Sequence, residues 1–139
     1  MAEYPTLPLP RFFPVRQALP RDRVEDVAAT VRAELQRIGF AARLKPGGTV
    51  AITAGSRGIA DIPLVIRTLA ESVRAAGAQP FIVPAMGSHG GATVEGQRQV
   101  LAEYGITQEA IGAPIKATME TVELGTLPSG AVVLSLLHI

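Results

Sequence analysis

Two short runs, Gly55-Ser56-Arg57-Gly58 and Met86-Gly87-Ser88-His89-Gly90-Gly91, hold the residues best suited to chemistry in this chain of 139 residues. In the first run, Gly55 and Gly58 let the backbone approach a ligand closely, and Ser56 offers a hydroxyl. Arg57 offers a planar fork of donors matched to carboxylate or phosphate. The run suits an oxyanion; a plain strand-to-helix turn with a solvated arginine is the simpler reading. In the second run His89 stands in a glycine-rich loop, where it is not an apolar core residue. A histidine can transfer a proton or ligate a metal. The only other histidine, His138, lies in the tail, so no two-ligand metal spacing exists and general acid/base work outranks metal binding. A role as a helix cap or turn residue is the plainer alternative for His89.

Neither run is a phosphate loop or a dinucleotide fingerprint, because the P-loop lysine and the third glycine are absent. Ser88 adjoins His89, but sequence neighbours cannot adopt the geometry of a nucleophile and its base, and no nucleophile elbow surrounds it. Asp61 reads as a helix cap, Glu95 as a carboxylate in a favourable first turn, and Lys45 and Lys116 as solvated.

The elements that must position these loops follow from periodicity. Residues 1–20 contain five of the eleven prolines, Pro5, Pro8, Pro10, Pro14 and Pro20, and form an extended segment expected to lie along the surface of the body. Residues 21–139 read as a single α/β domain. Asp22 and Glu25 have capping-box spacing ahead of a helical stripe of Val24, Val27, Ala28, Val31, Leu35 and Ile38 that ends near Gly39. Thr49–Ala54 and Gln79–Pro84 are apolar runs without alternation, as in strands buried on both faces, with Pro80 and Pro84 confining the second ladder to its middle. Between them Asp61 precedes a helix with Ile62, Val65, Ile66, Leu69 and Val73 on one stripe, Pro63 in its first turn and Gly77 beyond its end. A third helix is expected from Thr93 to Gly105, turning Leu101 and Tyr104 inward, then a short one from Thr107 through Ile111.

Strand, helix and strand in this spacing predict a βαβ core within a Rossmann-like parallel sheet with flanking helices. Both glycine-rich runs then share the carboxyl edge, the usual ligand edge of such sheets. Residues 122–139 read as a terminal β-hairpin about Pro128-Ser129-Gly130. An apolar terminal strand would leave an open edge, so a further carboxyl-terminal domain or a homo-oligomer is expected, with a self-contained domain as the alternative.

Composition narrows the partners. Thirteen basic and twelve acidic side chains leave a net charge of +1 without a basic stripe, which argues against nucleic acid. No cysteine is present, removing disulfides, thiolate metal sites and cysteine nucleophiles. No apolar run is long enough to span a bilayer and the amino terminus lacks a signal-peptide layout, so the chain reads as cytoplasmic.

Gly55–Ile59 and Gly87–Thr93, with the Val94-Glu95-Gly96-Gln97 continuation, resemble the amino-terminal domain of the nickel-dependent lactate racemase family. The closer likeness is to a racemase-like branch carrying Gly-Ser-Arg-Gly-Ile and Gly-Ser-His-Gly-Gly-Ala-Thr. The resemblance runs from about Leu9 to about Gly130. It implies an isomerase in which a 2-hydroxy acid is racemised by hydride exchange with a nickel-pincer nucleotide. His89 would be one of two acid/base residues. Arg57, with Ser56 and Ser88, would hold the substrate, and Gly55, Gly58, Gly87 and Gly90 would face the cofactor. The family's Asp-x-Thr-Arg-Pro motif is replaced here by Ala54-Gly55-Ser56-Arg57-Gly58, so lactate itself does not carry over. No counterpart of the cofactor-anchoring lysine, the nickel-binding histidine or the second acid/base histidine is found, which implies that the cofactor is anchored outside this chain. The expectation is a domain that contributes half an active site. A non-catalytic module binding a carboxylate or phosphate, or a truncated product without independent activity, is the alternative.

Overall fold

The apolar runs at 49–54 and 79–84 become two strands, and the remaining elements are arranged about them. The computed structural model describes residues 12–19 and 23–135, in the order α1 (Val27–Arg37), β1 (Thr49–Ala54), α2 (Ile62–Ala75), β2 (Gln79–Pro84), α3 (Val94–Glu103), α4 (Gln108–Ile111), β3 (Val122–Thr126) and β4 (Val132–Ser135). Strands β1 and β2 are parallel and joined through α2, with Thr49 opposite Gln79 and Ala54 opposite Pro84. Strands β3 and β4 form a separate antiparallel hairpin with an irregularity between Glu123 and Gly125. The molecule thus mixes helix and strand, with a two-stranded parallel sheet and a hairpin.

The ladder of β2 runs its full length and is not confined to the middle. Gln79 and Ala85 donate towards β1, to the carbonyls of Gly48 and Ala54, whereas Ile82 donates the other way, to Pro114. Strand parity therefore puts the missing N–H groups of Pro80 and Pro84 on the outer edge, where they interrupt nothing towards β1. On that edge only the isolated bridge of Ile82 to Ile115 forms, closed by Lys116 N–H donating to Ile82 O.

Ile52, Ala54 and Ile82 meet Ile66 and Ala70 of α2, Leu101 of α3, Ile106 and Ile111 in one core. All these side chains lie to one side of the sheet. On the other side Thr49 and Thr53 are exposed while Phe81 and Val83 are buried. The expectation of burial on both faces therefore holds for β2 but fails for β1, because no helix covers the second face of β1.

Helix α1 begins later than the capping-box spacing predicts. Its cap is Asp26, whose carboxylate accepts from Ala29 N–H at 2.8 Å, while Val24 and Glu25 precede the helix and are exposed; Asp22 lies outside the described residues. No residue of α1 is buried, and Val27, Ala28, Val31 and Leu35 only half-bury where the helix packs on α2. Residues 12–19 are irregular, as the prolines require, but they do not lie against the body: Phe12 is 91% exposed and Phe13 78%. Asp61 does precede α2, in a left-handed conformation with φ of 56°, yet its side chain makes no capping hydrogen bond. The sharp turn into α2 takes up the residue that a conventional cap would have used.

Candidate functional site

Parallel pairing places Gly55 and Ala85 next to each other at the carboxyl edge of β1 and β2, since Ala85 N–H donates to Ala54 O at 2.7 Å. From that edge the two glycine-rich runs leave together. Their side chains meet at one contact, in which Ser56 Oγ lies 2.5 Å from His89 Nδ1. Thirty-three positions separate these residues in sequence, and the pairing is the tertiary event that makes one site of two loops.

Each loop is held from α3 or its flank. Tyr104 follows the last turn of α3 and donates its hydroxyl to Ser56 O at 2.9 Å, while its ring lies where a Cβ on Gly58 would approach to 3.4 Å. Gln97, 3% exposed, donates Nε2–H to Gly87 O at 2.8 Å. Thr93 caps α3 by accepting from Gly96 N–H at 3.0 Å and donates to Gly90 O at 3.1 Å. Gly90, with φ of 68°, lies against the backbone of Gly96 so closely that a Cβ on either residue would overlap main-chain atoms of the other. The pair thus sets the path of the chain just after His89. Gly87 also has positive φ, 58°, but a Cβ there would meet open space.

His89 is exposed and no partner contacts its Nε2 among the described residues. With Nδ1 engaged by a hydroxyl, Nε2 is the atom left for a proton or a ligand. Arg57 is exposed and forms no hydrogen bond or ion pair among the described residues. Ser88 is exposed and its hydroxyl contacts neither Ser56 nor His89; Ser56, on the other loop, is the serine that reaches the imidazole. Gly55 and Gly58 flank the Ser56-Arg57 pair, and Gly55 would bring a Cβ 3.9 Å from Ala85 O. Asp61 is exposed, and Glu95 occupies the first turn of α3, where the dipole favours it. Lys116 is not merely solvated: its ammonium sits 4.2 Å from the centroid of the Phe81 ring.

No family model, curated protein or solved structure matches this chain. No group of three or more His, Cys, Asp or Glu side chains that could hold a metal ion occurs among the described residues. His138 lies outside them. No carboxylate contacts the imidazole either, so Ser56 and His89 form a pair and not a triad among the described residues. The residues that escaped sequence reading are Tyr104 and Gln97. Both were visible as part of a helix, Tyr104 as an inward-facing residue and Gln97 within the Val-Glu-Gly-Gln continuation, but nothing in their spacing reveals that each holds a loop carbonyl.

Proposed function

We propose that the Ser56–His89 edge binds a small 2-hydroxy acid, as one part of a racemase-like active site. The single observation that carries the reading is the Ser56 Oγ to His89 Nδ1 contact, which leaves Nε2 without a partner among the described residues, while Arg57 follows Ser56 in the same loop. In this reading Arg57 holds the substrate carboxylate and Nε2 accepts the proton of the substrate hydroxyl. That step requires the tautomer in which Nδ1 carries the ring proton and donates it to Ser56 Oγ, one of the two that a hydroxyl partner accommodates. Inversion at the α-carbon also requires a hydride acceptor. By the resemblance this would be a nickel-pincer nucleotide, for which the described residues offer no ligand set. The steps assigned to this chain are therefore anion binding, orientation and one proton transfer, on a Rossmann-like framework.

The test compares 2-hydroxybutyrate with butyrate in NMR titrations of the full chain. The hydroxy acid is expected to bind more tightly, Arg57→Gln to weaken both ligands about tenfold, and His89→Ala to abolish the preference for the hydroxyl. Equal binding of the two acids to the unmodified protein would overturn the reading. Without a hydride acceptor, no racemisation of 2-hydroxybutyrate is expected from this chain alone.

A non-catalytic module holding a carboxylate or phosphate is the competing reading, favoured in that no carboxylate contacts His89 among the described residues. It is distinguished by His89→Ala, which would then leave every affinity unchanged.

A further inference from the structure

The face of the sheet turned away from α2 carries a cleft of about 960 Å³ that reaches Ala85, Met86 and Gly87 of the second glycine-rich run. Phe81 and Val83 line it from β2 and Leu134 and Ser135 from β4, Lys116 and Arg98 contribute charge, and Gln97 borders it; Ser56, Arg57 and His89 are not part of its wall. The volume is that of a pocket for a small organic molecule.

Three features define what would fit. First, both charged residues in the wall are cations, with no aspartate or glutamate among the lining residues. Neither cation is ion-paired among the described residues: Arg98 spends one donor on Ile115 O at 3.3 Å, and Lys116 lies over Phe81. Second, the floor is apolar and aromatic and belongs to β2, where the ladder to β1 and the bridge to Ile115 hold it in place. Third, Gln97 is almost wholly buried, and while its Nε2–H serves Gly87 O, its Oε1 has no hydrogen-bond partner among the described residues. A buried amide oxygen without a donor is costly, and a ligand facing it would supply one.

We propose that this cleft is a second binding site, for an amphipathic organic carboxylate whose apolar body lies on Phe81 and Val83 and whose carboxylate is held by Arg98 and Lys116. A hydrogen-bond donor on the body would meet Gln97 Oε1. The site is independent of the reading given to Ser56 and His89 and stands or falls separately.

The experiment uses the full chain, with 8-anilinonaphthalene-1-sulfonate as the fluorescent anion and decanoate as competitor. Saturable fluorescence is expected, displaced by decanoate but not by decanol or inorganic phosphate. The double variant Arg98→Gln/Lys116→Gln should bind both anions at least about tenfold more weakly, while Arg43→Gln, outside the cleft wall, binds as the unmodified chain does. Circular dichroism and Tm establish that the variants are folded. Should the double variant fail to fold, Val83→Trp fills the floor without touching the cations and is expected to block decanoate. Unchanged affinity in a folded double variant, or displacement by decanol or phosphate as effective as by decanoate, would overturn the proposal.

Discussion

At the scale of single residues, the contact between Ser56 and His89 decides which imidazole nitrogen faces outward. Replacing Ser56 with alanine removes the group that distinguishes the two ring nitrogens. Nitrogen chemical shifts of the His89 ring are expected to report one dominant tautomer in the unmodified protein and a mixture in Ser56→Ala. Identical ring shifts in both proteins would mean that the hydroxyl does not set the tautomer. Gly96 gives a sharper test of the loop. In an isolated helix Gly→Ala stabilises by about 1 kcal/mol. Here the new Cβ would overlap the Gly90 carbonyl, and overpacking against backbone costs roughly 1–3 kcal/mol, more than the propensity gain. Gly96→Ala is therefore expected to lower stability in chemical denaturation, and a rise would show that the loop yields easily.

At the scale of elements, α1 and α3 differ in how they are held. Helix α1 buries no residue and is tied to α2 mainly by its half-buried stripe and the exposed Arg32–Glu71 pair at 3.1 Å, a kind of ion pair worth about 0–1 kcal/mol. Its amides are expected to exchange with solvent well before those of α2, whose Ile66, Ala70 and Val73 are buried. Equal protection of the two helices would contradict this. In α3 the cap is also a fastener, since Thr93 bonds both Gly96 N–H and Gly90 O. Thr93→Ala is expected to cost about 1–2 kcal/mol in equilibrium unfolding, the upper part of the range for an N-cap, because two bonds are lost. Thr107→Ala at α4 removes only the bond from Ala110 N–H and should cost less.

At the scale of the whole molecule, the hairpin touches the body lightly, with Leu134 and Ser135 of β4 bordering the cleft over Phe81. All of β3 is exposed, as are Val132, Val133 and Leu134 of β4, and no hairpin side chain joins the core around Ile82 and Leu101. A chain ending at Glu120 is expected to unfold with a stability within about 1 kcal/mol of the full chain, since surface changes away from packed contacts have small effects. A loss of several kcal/mol in denaturant titration would show that the hairpin supports the body. No described helix is long and apolar enough to cross a membrane.

Local chemistry settles much of this protein before it folds. The bounds of β1 and β2, the helices between and after them, the helix starts at Thr93 and Thr107 and the terminal hairpin are all legible, because strand-forming runs, hydroxyl residues at helix starts and glycine stops act within a few residues. Where local signals compete, reading fails: Asp22, Glu25 and Asp26 all offer a carboxylate near one helix start, and Asp26 is the one that caps α1. Burial is less legible still. The composition of β1 matches a strand covered twice, but whether anything covers its second face depends on elements distant in sequence. The site shows the same division. Arg57 and His89 are marked by residue type and glycine context, whereas the pairing of Ser56 with His89, the grip of Tyr104 and Gln97 on the loop carbonyls, and the cationic cleft over Phe81 exist only once the parallel sheet and α3 bring distant residues within bonding distance. Propensity is a property of neighbours along the chain, and a binding site is a property of neighbours in space.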